Sequence, residues 1–288
     1  MKKIHNLIEE AESRGVPISE IIILLEAEET EVPRQELIEK MHQNWAVMKE
    51  AMTEGIRGSG GTMGGLVKGA AKTVNAAVED GIVPRDRLST TVMRALAVAE
   101  VNASMGLIVA APTAGACGIL PAVLRTAQED LDLDDEPVVS ALFTAAGIGM
   151  VITENASISG AEGGCQAECG SAGAMAAGAL VELAGGTPRQ VGEAVALCLK
   201  NSLGLVCDPV AGLVEVPCIK RNAFLAVNAL AAADLALAGV SSVIPTDEVI
   251  GAMDEVGRSL PASLKETAKG GLAVTPTGLK IKERFGQA

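Results

Sequence analysis

The stretch "CDPVAGLVEVPC" sets Cys207 and Cys218 at the two ends of a short apolar loop, 11 residues apart, and Cys165 stands 42 residues before the first of them. Thiols do their chemistry as thiolates, as metal ligands, nucleophiles or disulfide partners. Cys165 follows Gly163-Gly164 and Cys218 follows Pro217, each where a helix is predicted to begin. The positive end of a helix dipole favours thiolate at such a position. Cys207 falls just beyond a helix that Gly204 ends, with Asp208-Pro209 forcing a turn. Spacings of 42 and 11 residues are unlike the short paired spacings of structural zinc. They suit a cluster held by three cysteines from separate elements, with one metal position open. The alternative is that these are small buried hydrophobes. That alternative fits Cys198, in the middle of "VGEAVALCLKNSLG", and Cys117. Cys169, four residues after Cys165 on the same helical face, can either ligate or pack.

Two glycine-dense loops, "RGSGGTMGG" (Arg57–Gly65) and "APTAGACG" (Ala111–Gly118), each precede a predicted helix. Uncrowded backbone N–H groups there form an anion site for a carboxylate or phosphate. Neither loop has the Gly-Lys-Ser/Thr of a Walker loop or the preceding strand of a dinucleotide fingerprint, and tight helix packing through glycine is the other reading. The two histidines, His5 and His42, both lie near the N-terminus. A Ser-His-Asp or Cys-His site built from the rest of the chain is therefore excluded. A general base there is Lys, Asp or Glu, or comes from the N-terminal helices or another chain. Lys68, Lys200 and Lys220 lie near these loops, so a Schiff-base lysine for pyridoxal phosphate is a rival reading, with surface charge as its alternative.

The elements that must position these groups follow from composition. Hydrophobic residues make up 49% of 288, aromatics only 1%, with no Tyr, and glycine numbers 32. An Ala-rich, aromatic-poor interior favours helix over strand, and no period-2 pattern of any length occurs. The chain reads as an all-α, multi-helix globular protein with Gly-rich loops at helix N-termini. Residues 1–54 read as an amphipathic N-terminal helical segment, and residues 55–288 as an all-α catalytic domain. Helices are expected at about 64–80, 89–106, 116–129, 137–153, 163–184, 188–202, 217–239 and 246–258, with Ser89 and Thr187 as N-caps and a loose tail after about residue 270. The net charge of −13 disfavours nucleic acid and anionic lipid. Six cysteines without a visible secretory signal fit a reducing, cytoplasmic setting. The uncharged run 101–124 is interrupted by Pro112 and Pro121, which argues for broken core helices rather than a membrane span.

From about residue 50 onward, "SGGTMGG", "APTAGACGILPAVL", "NASISGAEGGCQAECG", "NSLGLVCDPVAGLVEVPCIKRNAF" and "GGLAV" occur in an order that resembles the iron–sulfur-dependent L-serine dehydratase family, specifically its alpha chain. The resemblance implies that Cys165, Cys207 and Cys218 hold a 4Fe–4S cluster. The iron without a cysteine ligand would act as Lewis acid toward the carboxylate and hydroxyl of L-serine. Loss of the Cα proton and hydroxide would then lead to pyruvate and ammonia. Ser59, Thr62, Thr113, Asn155 and Ser157 are the expected substrate contacts, and helix capping is the alternative for each. Single-chain relatives carry an "SSSHT"-type segment in a separate beta region, and some place a C-terminal cysteine on the cluster. Neither feature is found here, so a beta subunit is the expected partner, the Cα base is expected from it, and the fourth iron is expected to be open. An oligomer is expected. A cluster-dependent L-cysteine desulfidase is the alternative activity, since the elimination is the same with sulfide leaving.

Overall fold

"SAGAMAAGALVEL" is built largely from Ala and Gly, and a helix of such small residues can be approached closely from every side. The computed structural model describes residues 2–58 and 60–286, and among them the chain is all-α, 72% helical and without a β-strand. The helices are α1 (Ile4–Arg14), α2 (Ile18–Thr30), α3 (Arg34–Arg57), α4 (Ala70–Glu79), α5 (Arg87–Ala103), α6 (Ile119–Asp130), α7 (Asp135–Asn155), the single turn α8 (Gly160–Gly163), α9 (Ser171–Leu183), α10 (Pro188–Ser202), α11 (Cys218–Leu237), α12 (Thr246–Ser259) and α13 (Pro276–Gly286). The Ala/Gly-rich segment is α9, and every residue from Ser171 to Val181 is buried. It packs against α6, α7, α10 and α11, and α5 packs on α11 beside it. The three N-terminal helices lie on this body: α1 on α10, α2 on α7, α3 on α5.

Several helix starts lack a side-chain cap of their own, and carboxylates from distant helices supply it. Asp247 accepts from the amides of Ile4 and His5, at 2.9 and 3.1 Å. Glu182 accepts from Ile18 and Ser19, and Glu100 from Ala70 and Ala71. An anion at a helix N-terminus is worth about 0.3–2 kcal/mol and satisfies amides that have no intrahelical partner. The acidic composition is thus partly structural. Thr187 caps α10 in a capping box with Gln190, and Pro188 sits at the first helical position, as expected. Ser89 does not cap α5. Asp86 does, and Ser89 is its reciprocal partner three residues on. A box reads from either end in sequence, and only the backbone shows which residue is outside the helix.

The expected helix at 64–80 begins only at Ala70, because residues 60–69 form an irregular loop. The expected helix at 163–184 is three pieces: the turn α8, a π-turn over Gln166–Gly170, and α9. The expected loose tail is ordered, with a 3₁₀ turn at Gly271–Val274 followed by α13. Residues 101–124 comprise the end of α5, a loop, a 3₁₀ turn and the start of α6, which no single span could contain. Helix α7 is long and apolar enough to cross a membrane, but 67% of its most apolar stretch is buried in the protein.

Trp45, fully buried on α3, donates to Asp135 at the start of α7 at 3.0 Å. Lys49 and Gln128 donate to the same carboxylate. Partial burial works to raise the Asp135 pKa, but these hydrogen bonds and the Lys49 charge outweigh it and set the value at about 2. With the folded value below the unfolded one, the carboxylate stabilises the fold above about pH 4, and this is lost as pH falls toward 2. Asp135→Asn should therefore lower the urea midpoint at pH 7, and the gap from wild type should close between pH 4 and pH 2.

Candidate active site

Cysteines at the ends of three different elements lie near one another beside the π-turn, close enough for Cys165 to act electrostatically on Cys207 and Cys218. Cys165 lies at the mouth of that turn, Cys207 in the loop after α10, and Cys218 at the first position of α11. All six cysteines are free thiols. Cys169 and the Arg221 guanidinium, both beside Cys165, hold its pKa below the usual thiol value against the cost of burial. Burial, first, and then the charge of Cys165 raise Cys207 and Cys218, the latter to about 12. Cys218 therefore departs from the expectation of a thiolate at a helix start. At 9% exposure its desolvation, with Cys165 and Glu168 close by, exceeds what the helix end provides.

Arg221 is the cation of this group. Its guanidinium donates to the carbonyl of Val206 at 2.7 Å and to Asp208 at 2.8 Å, on either side of Cys207. Asp208 also accepts from the amide of Leu272, which ties the "GGLAV" turn to the same place. The backbone of Cys207 is pinned by Leu264 and Glu266, in an isolated parallel bridge with Lys265. Gln166 fastens the π-turn by donating to Met253 and accepting from Gly204.

Glu168, on the π-turn, offers an oxygen within 4.8 Å of the sulfurs of Cys165 and Cys169. Thr113 donates to its Oε1 at 2.6 Å. Burial, chiefly, raises the Glu168 pKa, and the nearby charge of Glu266 adds to it. Gly160 forms the floor: a Cβ there would lie 3.0 Å from Cys207 Sγ and 3.4 Å from Oε2 of both Glu168 and Glu266. Any side chain at 160 would intrude where a thiol and two carboxylates converge.

The model of the family "Serine dehydratase alpha chain" matches residues 13–273. The chain belongs to this family. It is 48% identical to the probable L-serine dehydratase, alpha chain, of Bacillus subtilis, across 100% of this chain and 96% of that one. It is 45% identical to the L-serine dehydratase, alpha chain, of Peptoniphilus asaccharolyticus, across 97% and 96%. The L-serine dehydratase of Streptomyces coelicolor is 43% identical over 93% of this chain, which spans only 59% of that protein's length.

In this serine dehydratase alpha chain the residues singled out from sequence fall in several places. Thr113 joins the thiol group through Glu168. Thr62 is buried and its hydroxyl bonds Glu215, which also accepts from the amides of Gly64 and Leu66. The anion served by the first glycine loop is thus the protein's own Glu215, just as Asn222 takes the Gly118 amide at the second. Ser59 lies outside the described residues. Asn155 donates to Lys2 and Val151, and Ser157 to Glu162, so both hold the turn between α7 and α8. Cys117 and Cys198 are fully buried thiols raised by burial to about 12. Of the rival lysines, Lys68 is exposed, Lys220 is half-buried on α11, and Lys200 donates to the carbonyl of Ser242. His5 pairs with Glu9, and no histidine is among the charged groups acting on the thiols. Glu168, Arg221 and Glu266 were not singled out in advance. "CQAECG" placed Glu168 three residues from Cys165, a signal that could have drawn it in.

Proposed function

We propose that the chain is the catalytic alpha chain of an L-serine ammonia-lyase, and that Cys165, Cys207 and Cys218 hold its 4Fe–4S cluster. What supports this is the meeting of three buried thiols, from elements far apart in sequence, in a chain whose relatives are named L-serine dehydratases. The donor set fits a cluster. Thiolates at these positions repel one another and are costly to bury, and a cationic centre removes both penalties. Gly160 lets the chain come close to Cys207 Sγ, which a Cβ there would crowd at 3.0 Å.

When bound, the cluster would supply an iron without a cysteine ligand, a Lewis acid for the substrate's carboxylate and hydroxyl. The chain's own groups do the rest. Arg221, with Cys169, favours the thiolate form of Cys165 and, through Val206 and Asp208, fixes the loop that carries Cys207. Asn222 donates to the carbonyls of Cys218 and Gly115, joining the first turn of α11 to the PTAG loop. Thr113 stands at the edge of the site with its hydroxyl on Glu168, and is the substrate-contact candidate nearest the thiols. We place Thr62, Asn155 and Ser157 as residues that shape the surrounding loops.

About two-fifths of the Streptomyces relative's length lies outside the match, and the Bacillus and Peptoniphilus relatives are named alpha chains. We infer from those names that a second chain works with this one and supplies the Cα base that no nearby histidine provides, and that the pair works in a reducing, cytoplasmic setting. The test is pyruvate formation by the anaerobically reconstituted enzyme, with its partner chain, given L-serine or L-cysteine. Pyruvate from L-serine with far less from L-cysteine supports the reading, a preference for L-cysteine makes it a desulfidase, and product from neither overturns it. Gly160→Ala should keep the helical circular dichroism spectrum yet lower cluster occupancy about tenfold, since forcing Cys207 aside costs roughly 1–3 kcal/mol, as overpacking typically does. Iron content of the purified variant checks this.

A further inference from the structure

Glu168 is a half-buried carboxylate with no basic partner. Its one side-chain hydrogen bond comes from Thr113, on Oε1, and no lysine or arginine forms an ion pair with it among the described residues. Arg221, the cation of the site, is committed to Asp208, Val206 and Cys165. The other oxygen, Oε2, faces the space over Gly160, beside Cys207 Sγ and Glu266 Oε2. Thr113 therefore fixes the carboxylate with its free oxygen toward the place where substrate would meet the cluster. A carboxylate half-withdrawn from water without a cation is costly to ionise, and a cation arriving with the ligand offsets that cost.

The amino-acid substrate of the proposed reaction has three polar groups. Its carboxylate and hydroxyl are the natural partners of a Lewis-acidic iron. Its ammonium is not, and it needs an anion. We propose that Glu168, held by Thr113, binds the substrate's ammonium group and so selects α-amino acids over the corresponding hydroxy acids. This rests on the serine dehydratase reading above. Glu168 is a binding and specificity residue here, and the Cα base is left to the partner chain. Gly115 fits the same role from behind. A Cβ there would lie 2.5 Å from Glu168 Oε1, so the PTAG turn can approach the carboxylate only because that position has no side chain.

The probe pair is L-serine and 3-hydroxypropanoate, which differ only in the amino group. Their dissociation constants are read from the change in cluster absorbance on rapid mixing with the cluster-loaded enzyme, before turnover. Wild type should bind L-serine at least tenfold more tightly than 3-hydroxypropanoate. Glu168→Gln should weaken L-serine about 10- to 100-fold, the usual worth of a hydrogen bond to a charged group, and leave 3-hydroxypropanoate within about twofold. A merely structural role for Glu168 would weaken both ligands alike, and that result overturns the proposal, as does undiminished preference for L-serine. Should Glu168→Gln fail to load a cluster, Thr113→Val takes its place. It should lose part of the preference, and full retention overturns the proposal. If neither ligand perturbs the wild-type cluster, or none is present, the dehydratase reading fails and this inference falls with it. If wild type responds but discrimination survives in the variants, only the assignment of Glu168 is lost.

Discussion

Cys207→Ala should emerge from anaerobic reconstitution without the proposed 4Fe–4S cluster and without dehydratase activity. Cys207 comes from a loop pinned on both sides, by the Arg221–Asp208 pair and by the bridge to Lys265, so no neighbouring segment can slide in to replace its sulfur. Cys169 sits on the Cys165 side of the site, its sulfur within 4.8 Å of that residue's. A cluster with two of its three cysteines loses iron readily, because each thiolate contributes to holding it. The expected result is iron and acid-labile sulfide at no more than about a tenth of wild type, with the helical circular dichroism spectrum unchanged. Cys198→Ala is the control. That thiol packs in the core against Asn228, and its loss should leave iron content alone while lowering stability modestly. Equal iron in wild type and Cys207→Ala would remove Cys207 from the ligand set.

Arg221→Leu should be the most destabilising single change around the site. Its side chain is 14% exposed and that of Asp208 only 4%. Removing one partner of a buried ion pair leaves the other uncompensated, which costs about 3–5 kcal/mol. Asp208 keeps its bond from the Leu272 amide, but one neutral donor does not replace a guanidinium. Cys165 also loses the cation that lowers its pKa, so cluster uptake should fall together with stability. Urea unfolding of the metal-free chain separates the two effects. Combining Arg221→Leu with Asp208→Asn should cost clearly less than the sum of the single changes, the signature of a direct pair. A loss below about 1 kcal/mol for Arg221→Leu would mean that the pair is worth no more than a surface ion pair.

The candidate thiols stand out in the sequence because their kind and position speak locally: a cysteine at a helix start or after a Gly-ended helix is visible in a few residues. So do most helices, whose punctuation by Gly and Pro is local too, and the Thr187 cap with its Pro188. What was not legible depends on partners distant in the chain. Nothing near Glu100, Glu182, Glu215 or Asp247 tells which amides each carboxylate will face, and residues 64–69 read as helix because Glu215, which holds them in a loop, lies 149 residues beyond Leu66. The tail looked loose because its anchor, Asp208, is 64 residues away from Leu272. Cys218 looked like a thiolate because helix position is written in the sequence and burial is not. Glu168 was passed over for the same reason: a carboxylate in a helical segment is ordinary until its burial and its lack of a cation are seen.

The central claim is that sulfurs from three separate elements hold one iron–sulfur centre with a corner left for substrate. Mössbauer spectroscopy of the anaerobically reconstituted, iron-57-loaded chain tests it most directly. The account predicts about four irons and four sulfides per chain, with a single iron whose signal shifts when L-serine is added and three that do not change. Four equivalent irons indifferent to L-serine, or a chain that takes up no iron at all, would contradict it.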